Sequence, residues 1–208
     1  MSYSEFTISQ IEGEFNLIIQ ERVEIFKSIK PVTPSDLLKE ILAENIPLAL
    51  EIDTEKARSE LIIAPILVEL RKHFQRKISF FSGTEFNVEK AKGLTGRCDF
   101  IISYSPKQLE ITAPVVTIVE AKNDNIKSGI PQCIAEMIGA QLFNEQKKNQ
   151  IPWIYGIITT GSNWKFLRLV ENQVEIEAIE HFIGNLESLF GILIEIIETT
   201  SPQFLTHS

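Results

Sequence analysis

The chain has 208 residues, of which 44% are hydrophobic and 23% are charged, a composition typical of a globular domain with a sizeable core. No stretch approaches the roughly 20 apolar residues that span a bilayer, and the acidic N-terminus differs from a signal peptide. We therefore expect a cytoplasmic protein with no membrane partner. All 20 Lys and Arg lie at or before Arg168, so the net charge of −8 falls mostly on the last 40 residues, which carry −7. The remainder of the chain can still bind nucleic acid.

The sequence offers few soft metal ligands. Cys98 and Cys133 are too far apart for a metal knuckle and are expected to be small buried side chains, and the three histidines show no ligand spacing. These patterns argue against a histidine zinc site and against a Ser-His-Asp apparatus. If the protein binds a metal ion, carboxylates bind it. The basic stretch 71–77, RKHFQRK, is either a solvated helix end or a phosphate-binding face.

The predicted elements begin with an ambiguous segment. Residues 7–28 fit an amphipathic helix or a strand, because their periodicity does not decide between the two. A further helix is predicted to end near Glu44, ahead of Pro47. We therefore expect residues 1–50 to form an N-terminal accessory helical segment and residues 51–208 to form the main domain.

In the main domain, predicted strands and helices follow one another along the chain. The elements are a long helix at 54–75, a hairpin of short strands turning at Ser82-Gly83, strands at 96–105 and 112–122, a helix from 131 to 148, a hairpin of 153–161 with 163–170, a candidate edge strand at 173–179, and an apolar helix at 182–198. One mixed sheet with helices on both faces buries these elements most economically. The predicted fold class is α/β.

Two opposite charges end the most apolar of these strands. In PVVTIVEAKNDNIKSG (114–129), Glu120 and Lys122 project from the same face, because side chains alternate along a strand. Burying a carboxylate is costly unless it is paired or binds metal. A simple ion pair at the strand end is the plainer interpretation, since such a triplet is expected about once by composition. A second one, at 145–147, lies on a predicted helix.

Two further acids lie in apolar elements. Asp99 is inside the strand GRCDFIISYS (96–105), among apolar neighbours. At 100° per residue, Glu60 falls within about 80° of the apolar stripe of the long helix, which consists of Ile63, Leu67, Leu70 and Phe74. The alternative for Glu60 is an acid favoured by the helix dipole. Three acids and a lysine meeting at one sheet edge would suit Mg²⁺ or Mn²⁺, which prefer oxygen ligands.

At these residues the chain resembles the PD-(D/E)xK nuclease superfamily, which has the restriction endonuclease-like fold. The family's core order, αβββαβ, matches residues 55–160. The resemblance implies that Asp99, Glu120 and Lys122 are catalytic and that Glu60 matches the acid many members carry on the first helix. The implied metal ligands are Glu60, Asp99 and Glu120.

Many members also carry a glutamine on the helix after E-x-K. Gln141 is the best match, while Gln132 and Glu136 lie on the opposite helix face. The hairpin ITTGSNWKFLRL (158–169) is similar to one in the N-terminal nuclease domain of type I restriction motor subunits, and the whole sequence looks like small single-domain proteins common in cyanobacteria. The family's proline before the aspartate is replaced here by GRCD.

The resemblance implies a Mg²⁺-dependent phosphodiesterase that acts on nucleic acid, with DNA as the expected substrate. The alternative is a catalytically inactive nucleic-acid-binding or regulatory module that retains the nuclease fold. We also expect a homodimer through the C-terminal helix, because FIGNLESLFGILIEII carries apolar residues on more than one stripe. The alternative for this helix is burial on two sides within one chain.

Overall fold

The computed structural model of the protein describes residues 1–149 and 151–201; His207, one of the three histidines, lies outside them. The strands are β1 (Ile18–Val23), β2 (Ser79–Glu85), β3 (Arg97–Ser103), β4 (Val115–Ala121), β5 (Ile154–Thr159), β6 (Asn163–Val170), β7 (Gln173–Glu177) and β8 (His181–Phe182). The helices are α1 (Ile8–Phe15), α2 (Asp36–Ile52), α3 (Glu55–Arg58), α4 (Ala64–His73), α5 (Ile126–Gln146) and α6 (Leu186–Thr199). A π-helical turn, Ser59–Ile63, joins α3 to α4.

The strands form one mixed eight-stranded sheet in the order β1-β7-β6-β5-β4-β3-β2, with the short β8 paired to β6. Helices cover both faces, which confirms the predicted α/β class. Strands β4 and β5 are parallel and are linked by α5, whereas β3 is antiparallel to β4. The start of β3 therefore lies at the same sheet edge as the ends of β4 and β5. We call this edge the site edge.

Two apolar cores lie on opposite faces of the sheet. One contains the buried residues of α2, α4 and α6, and the other contains those of α1 and α5. The amide of Asn144, near the end of α5, bonds both the N–H and the C=O of Val115 at 2.8 Å. This contact holds α5 against the start of β4. No helix within the two described ranges is long and apolar enough to cross a bilayer.

The N-terminal fifty residues differ from the expected helical segment. Besides α1 and α2 they supply β1, which pairs in parallel with β7 and places the segment 173–177 inside the sheet instead of at its edge. Helix α2 also continues through Pro47 to Ile52. Tertiary packing of its buried residues outweighs the hydrogen bond that the proline removes.

The predicted hairpin at Ser82-Gly83 is instead a single strand. Gly83 has φ of +59°, yet β2 runs through it and pairs along its length with β3, for example Phe81 with Ile101. A glycine in this conformation marks an irregular strand position as readily as a turn. The turn therefore comes later in the chain, at the 3₁₀ segment Lys90–Lys92.

The apolar residues of α6 are used within the chain. Eight of them are buried, namely Leu189, Phe190, Gly191, Ile192, Leu193, Ile194, Ile196 and Ile197. The surplus apolar surface on which the dimer prediction depended is therefore covered by the rest of the fold. A homodimer through α6 stays a prediction without that support.

A glycine on α6 provides a stability test. A Cβ at Gly191 would lie 2.2 Å from the carbonyl oxygen of Lys30, which cannot move like a side-chain end. We expect Gly191→Ala to destabilise the fold by about 1–3 kcal/mol, and so to lower the melting temperature measured by circular dichroism. Gly13→Ala is the control, because Gly13 is inside α1 and a methyl group added there would have no neighbour within 4 Å. That substitution should stabilise by about 0.5–1 kcal/mol. A neutral Gly191→Ala would show that the contact between α6 and the Lys30 segment is loose.

Candidate active site

Asp99, Glu120 and Lys122 meet at the site edge. Asp99 is near the start of β3, and its Oδ2 accepts a hydrogen bond from the N–H of Ala121 at 2.8 Å. Lys122 Nζ donates to Glu120 Oε1 at 2.5 Å. Glu120 is buried, whereas the Lys122 side chain keeps 19% of its surface exposed. The predicted ion pair therefore exists, and it lies beside a second carboxylate.

The surroundings shift the protonation of these groups. Burial raises the pKa of Glu120 to about 8, and the nearby Asp99 carboxylate adds to this effect while Lys122 opposes it. Burial also raises the pKa of Asp99, although the N–H of Ala121 acts in the other direction. Burial alone would lower the pKa of Lys122, but the surrounding carboxylates outweigh it and raise that pKa. The edge thus concentrates negative charge around one ammonium group.

Glu60 does not join this group. Its side chain is 64% exposed and lies 3.8 Å from Lys56 Nζ on the helix surface. The reason is the π turn Ser59–Ile63, which adds a residue to one helical turn and changes the angle between Glu60 and the buried stripe. The assumption of 100° per residue fails at that turn.

Glu55 is the helix acid that the structure places near the site. It is exposed at the start of α3, yet its carboxylate interacts electrostatically with Asp99, Glu120 and Lys122. Burial raises its pKa, with Lys122 opposing the shift. In the sequence, the sign that Glu55 begins a helix was its position directly after Thr54. The Thr54 side chain caps α3 by accepting a hydrogen bond from the N–H of Ala57.

Arg58 anchors the same helix to the site edge. Its guanidinium donates to Asn123 Oδ1 and to the Thr160 carbonyl oxygen, each at 3.1 Å, and to Asp53 Oδ1 at 3.0 Å. Asn123 follows β4 and Thr160 follows β5, so one side chain ties α3 to the ends of both strands. This anchor sets the position of Glu55.

Gln141 also lies away from the site edge. Its amide donates to the carbonyl oxygen of Glu171, in the turn between β6 and β7, at 3.0 Å. The side of α5 nearest the site instead carries Gln132 and Glu136, whose side chains bond each other at 3.0 Å. Glu136 is fully buried, and burial followed by the proximity of Glu120 raises its pKa well above the usual range. A signal for this pair was available: two polar residues four apart in a largely apolar helix.

The buried side of the site includes other groups with raised pKa values. The two cysteines, Cys98 and Cys133, are free and buried as predicted. Tyr3 is also buried, and burial followed by the proximity of Cys98 and Glu136 raises the pKa of its hydroxyl. The N-terminal segment therefore packs behind the site.

The close fit of α5 to the edge requires a glycine. A Cβ at Gly129 would lie 2.9 Å from Ile158 Cγ2 and 3.0 Å from Lys122 Cε. The missing side chain leaves room for the Lys122 stem to cross the first turns of α5. Larger residues at this position would displace Lys122 from Glu120.

The hairpin after β5 closes another part of the site edge. Gly161 has φ of +78° and accepts a hydrogen bond from the buried Trp164 indole at 3.0 Å. The Gly161 backbone also packs against Ile62 of the π turn. The aromatic residue of the ITTGSNWKFLRL segment thus stabilises a tight turn and does not reach the carboxylates.

The carboxylates fit a hard divalent cation in part. Glu120 Oε2 is buried and accepts no hydrogen bond from an N–H or hydroxyl group, and the Asp99 carboxylate is its neighbour, so these two carboxyl groups offer the oxygens for a ligand. Across residues 1–149 and 151–201, no three His, Cys, Asp or Glu side chains are arranged to hold a metal ion. Mg²⁺ needs only one or two protein carboxylates when waters and substrate phosphates complete its shell. Asp99 and Glu120 meet that smaller requirement.

The basic stretch 71–77 lies elsewhere. Its residues 71–73 form the last turn of α4, and the rest leads into β2, whose first residue, Ser79, pairs with Ser103 at the end of β3. This is the sheet edge opposite Asp99. The stretch is therefore a helix end remote from the carboxylates.

The chain matches no protein-family model, and no curated protein is similar to it at a significant level. What bears on the function of this chain is the geometry of the site edge and the resemblance of its residues to a nuclease pattern.

The buried Glu136 carboxyl makes stability depend on pH. Its pKa in the folded chain is raised above the ordinary value of 4.5, so the folded state binds more protons than the unfolded state as pH increases above that value. Stability is then lost with increasing pH. Glu136→Gln removes this contribution, so we expect the melting temperature of the variant to increase relative to wild type as the pH rises above the ordinary value of 4.5.

Glu145→Gln is the matched control, because Glu145 is exposed on the same helix. Its melting temperature should follow that of wild type at every pH. A difference between Glu136→Gln and wild type that stays constant with pH would contradict the raised pKa.

Proposed function

We propose that the protein is a divalent-metal-dependent phosphodiesterase, a nuclease of the restriction endonuclease-like type, with DNA as the expected substrate. The observation that carries the proposal is the meeting of Asp99 with the Glu120–Lys122 pair at one edge, with a buried carboxylate oxygen left unpartnered. Charged groups with raised pKa values are common at catalytic sites.

The order of elements around the site supports the restriction endonuclease-like core. The helical run from α3 through α4 precedes β2, β3 and β4, and α5 and β5 follow them. This is the order αβββαβ, with the acid on the second of the three strands and the E-x-K residues on the third. The remaining elements, β1 and β6 to β8, extend the sheet beyond β5.

Each residue of the site has a chemical role in this proposal. Asp99 and Glu120 hold Mg²⁺ or Mn²⁺ through carboxylate oxygens, and Glu55 adds negative charge at the rim. When bound, such an ion would supply positive charge for a phosphate group and would acidify a water molecule. Lys122 has three N–H donors and uses one on Glu120, so the others can orient the attacking water or bond a phosphate oxygen.

An inactive nucleic-acid-binding or regulatory module is the second candidate. The observation that favours it is the short Lys122–Glu120 contact, together with the lack of a three-residue metal cluster in the described chain. In such a module the ion pair would serve only to neutralise the buried Glu120. The two candidates differ in metal response and in cleavage.

Metal binding should be visible in thermal stability. Repulsion among Asp99, Glu120 and Glu55 destabilises the metal-free fold, so Mg²⁺ or Mn²⁺ at about 1–10 mM should raise the melting temperature of wild type. Asp99→Ala should show no metal-dependent shift and no cleavage of plasmid or single-stranded DNA. Lys122→Ala should keep the shift, because lysine is not a ligand, but should cut at least roughly 100-fold more slowly.

The outcomes of that experiment separate the two candidates. A metal shift without cleavage of any nucleic acid would favour the regulatory module. If the wild type shows neither a metal-dependent shift in melting temperature nor cleavage, then neither candidate function uses a metal site at this edge. Cleavage by Asp99→Ala at the wild-type rate would assign the activity to another site or to a contaminant.

Two acids on the same helical run provide a sharper test. Glu55→Ala should lower metal affinity or cleavage by roughly 10–100-fold, as loss of a supporting group near a metal typically does. Glu60→Ala should leave both unchanged, because Glu60 lies on the surface beside Lys56. If Glu60→Ala lowered metal affinity or cleavage and Glu55→Ala did not, then in solution the helix would turn Glu60, and not Glu55, towards the site. Isothermal titration with Mn²⁺ and a cleavage assay measure the two quantities.

A further inference from the structure

Apolar surface is concentrated on one pair of helices. Of the ten large hydrophobic side chains exposed within the described ranges, five lie on α2 and α4, namely Leu37, Leu48, Leu50, Ile52 and Val68. Their exposed fractions run from 43% to 59%. A folded domain rarely leaves so many large apolar groups together without a partner.

Most of these side chains form one stripe along α2. At 100° per residue, Leu37, Ile41, Leu48 and Ile52 fall within about 60° of one another. The buried residues Leu38, Leu42 and Ala49 lie next to this sector and face the core. Leu50 lies on the other side of the helix, about 140° or more from every residue of the stripe. Helix α2 therefore has two apolar faces, of which only one is covered.

The neighbouring helix extends the same surface. The N–H of Ser35 bonds Glu69 Oε1 and the Asn45 amide bonds the Leu61 carbonyl oxygen, both at 2.9 Å, so the two helices run antiparallel. The adjoining run through the π turn and α4 carries the half-buried Leu61 and Pro65 and the exposed Val68. We call the seven residues, Leu37, Ile41, Leu48, Ile52, Leu61, Pro65 and Val68, the α2–α4 face.

The charges beside the face differ between the two helices. On the α2 side the exposed acids are Glu40, Glu44 and Glu51. On the α3–α4 side, Lys56 and Lys72 are 83% and 62% exposed. Their partners within the chain, Glu60 and Glu69, lie 3.8 Å and 3.7 Å away, so both ion pairs are long, and the Lys56–Glu60 pair is exposed at both ends.

We propose that the α2–α4 face is the interface of a symmetric homodimer, in which α2 of one copy lies along α3–α4 of the other. A two-fold axis brings each acidic side onto the partner's lysines and buries the apolar stripe between them. Helix α2 has 17 residues, so the face is about 25 Å long, and two packed helices with their side chains are about 20 Å wide. A face of these dimensions covers about 500 Å² per partner, or about 1,000 Å² in total, which is the size at which a specific interface begins.

The dimer is tested by sedimentation velocity and light scattering on the intact chain at roughly 1–100 μM. Wild type should have the mass of two chains, and Leu48→Glu should weaken association at least roughly 30-fold. Leu50→Glu is the matched control, because it adds the same charge to the opposite side of α2. It should leave the mass unchanged. Circular dichroism on each variant checks that the fold is retained.

Charge reversal tests the proposed arrangement separately from folding. A protein with Glu40→Lys and Glu44→Lys should be monomeric, and so should one with Lys56→Glu and Lys72→Glu. Mixed together, the two should form a heterodimer, since each acidic side then meets a basic one. Failure of the mixture to associate while wild type dimerises would overturn the arrangement.

Other results overturn the proposal as a whole. A monomeric wild type at the highest concentration would show that the face serves a different partner or none. Dimerisation that survives Leu48→Glu and Val68→Glu would place the interface elsewhere. Neither outcome depends on metal binding or on cleavage, so the interface and the proposed activity succeed or fail independently.

Discussion

Burial of the Glu120 carboxyl is the constraint on which the site edge depends. Every residue of β4 is buried, so its terminal carboxyl cannot reach bulk water. A buried charge is tolerated only when it is paired, hydrogen-bonded or bound to a cation. Lys122 supplies one such partner, and the remaining free oxygen leaves the requirement incomplete. Because the Glu120 carboxyl is only partly paired, a cation that binds at the site edge is expected to stabilise the fold.

The groups around Glu120 come from every layer of the fold. Asp99 arrives on β3 because that strand is antiparallel to β4, and Glu136 arrives on α5, which covers the same region. Arg58 draws α3 onto the loops after β4 and β5, and this brings Glu55 to the rim. The site is thus assembled by long-range contacts, and a change in any one layer is expected to alter its electrostatics.

The candidate site and the α2–α4 face are neighbours along the chain. Ile52 ends the apolar stripe on α2, and Glu55 begins α3 three residues later. A dimer through this face would place the rim of each site beside the interface. The apolar residues of α6 are buried in the core, so a homodimer through α6 stays a prediction without that support.

The fold class, the strands that carry Asp99 and Glu120, and the pairing of Glu120 with Lys122 are all predictable from the sequence. These features follow from the two-residue repeat of a strand and the cost of a buried charge, both of which are local. Which helical residues approach the site depends instead on contacts between elements that are distant in sequence. The π turn changes the helix phase and so favours Glu55 over Glu60. Helix α5 is buried on most sides, so its apolar pattern could not show that Glu136 points to the site and Gln141 away. The face that a helix turns towards the site is set by its packing partners, which are distant in sequence. The hydrophobic repeat of a single segment carries no information about those partners.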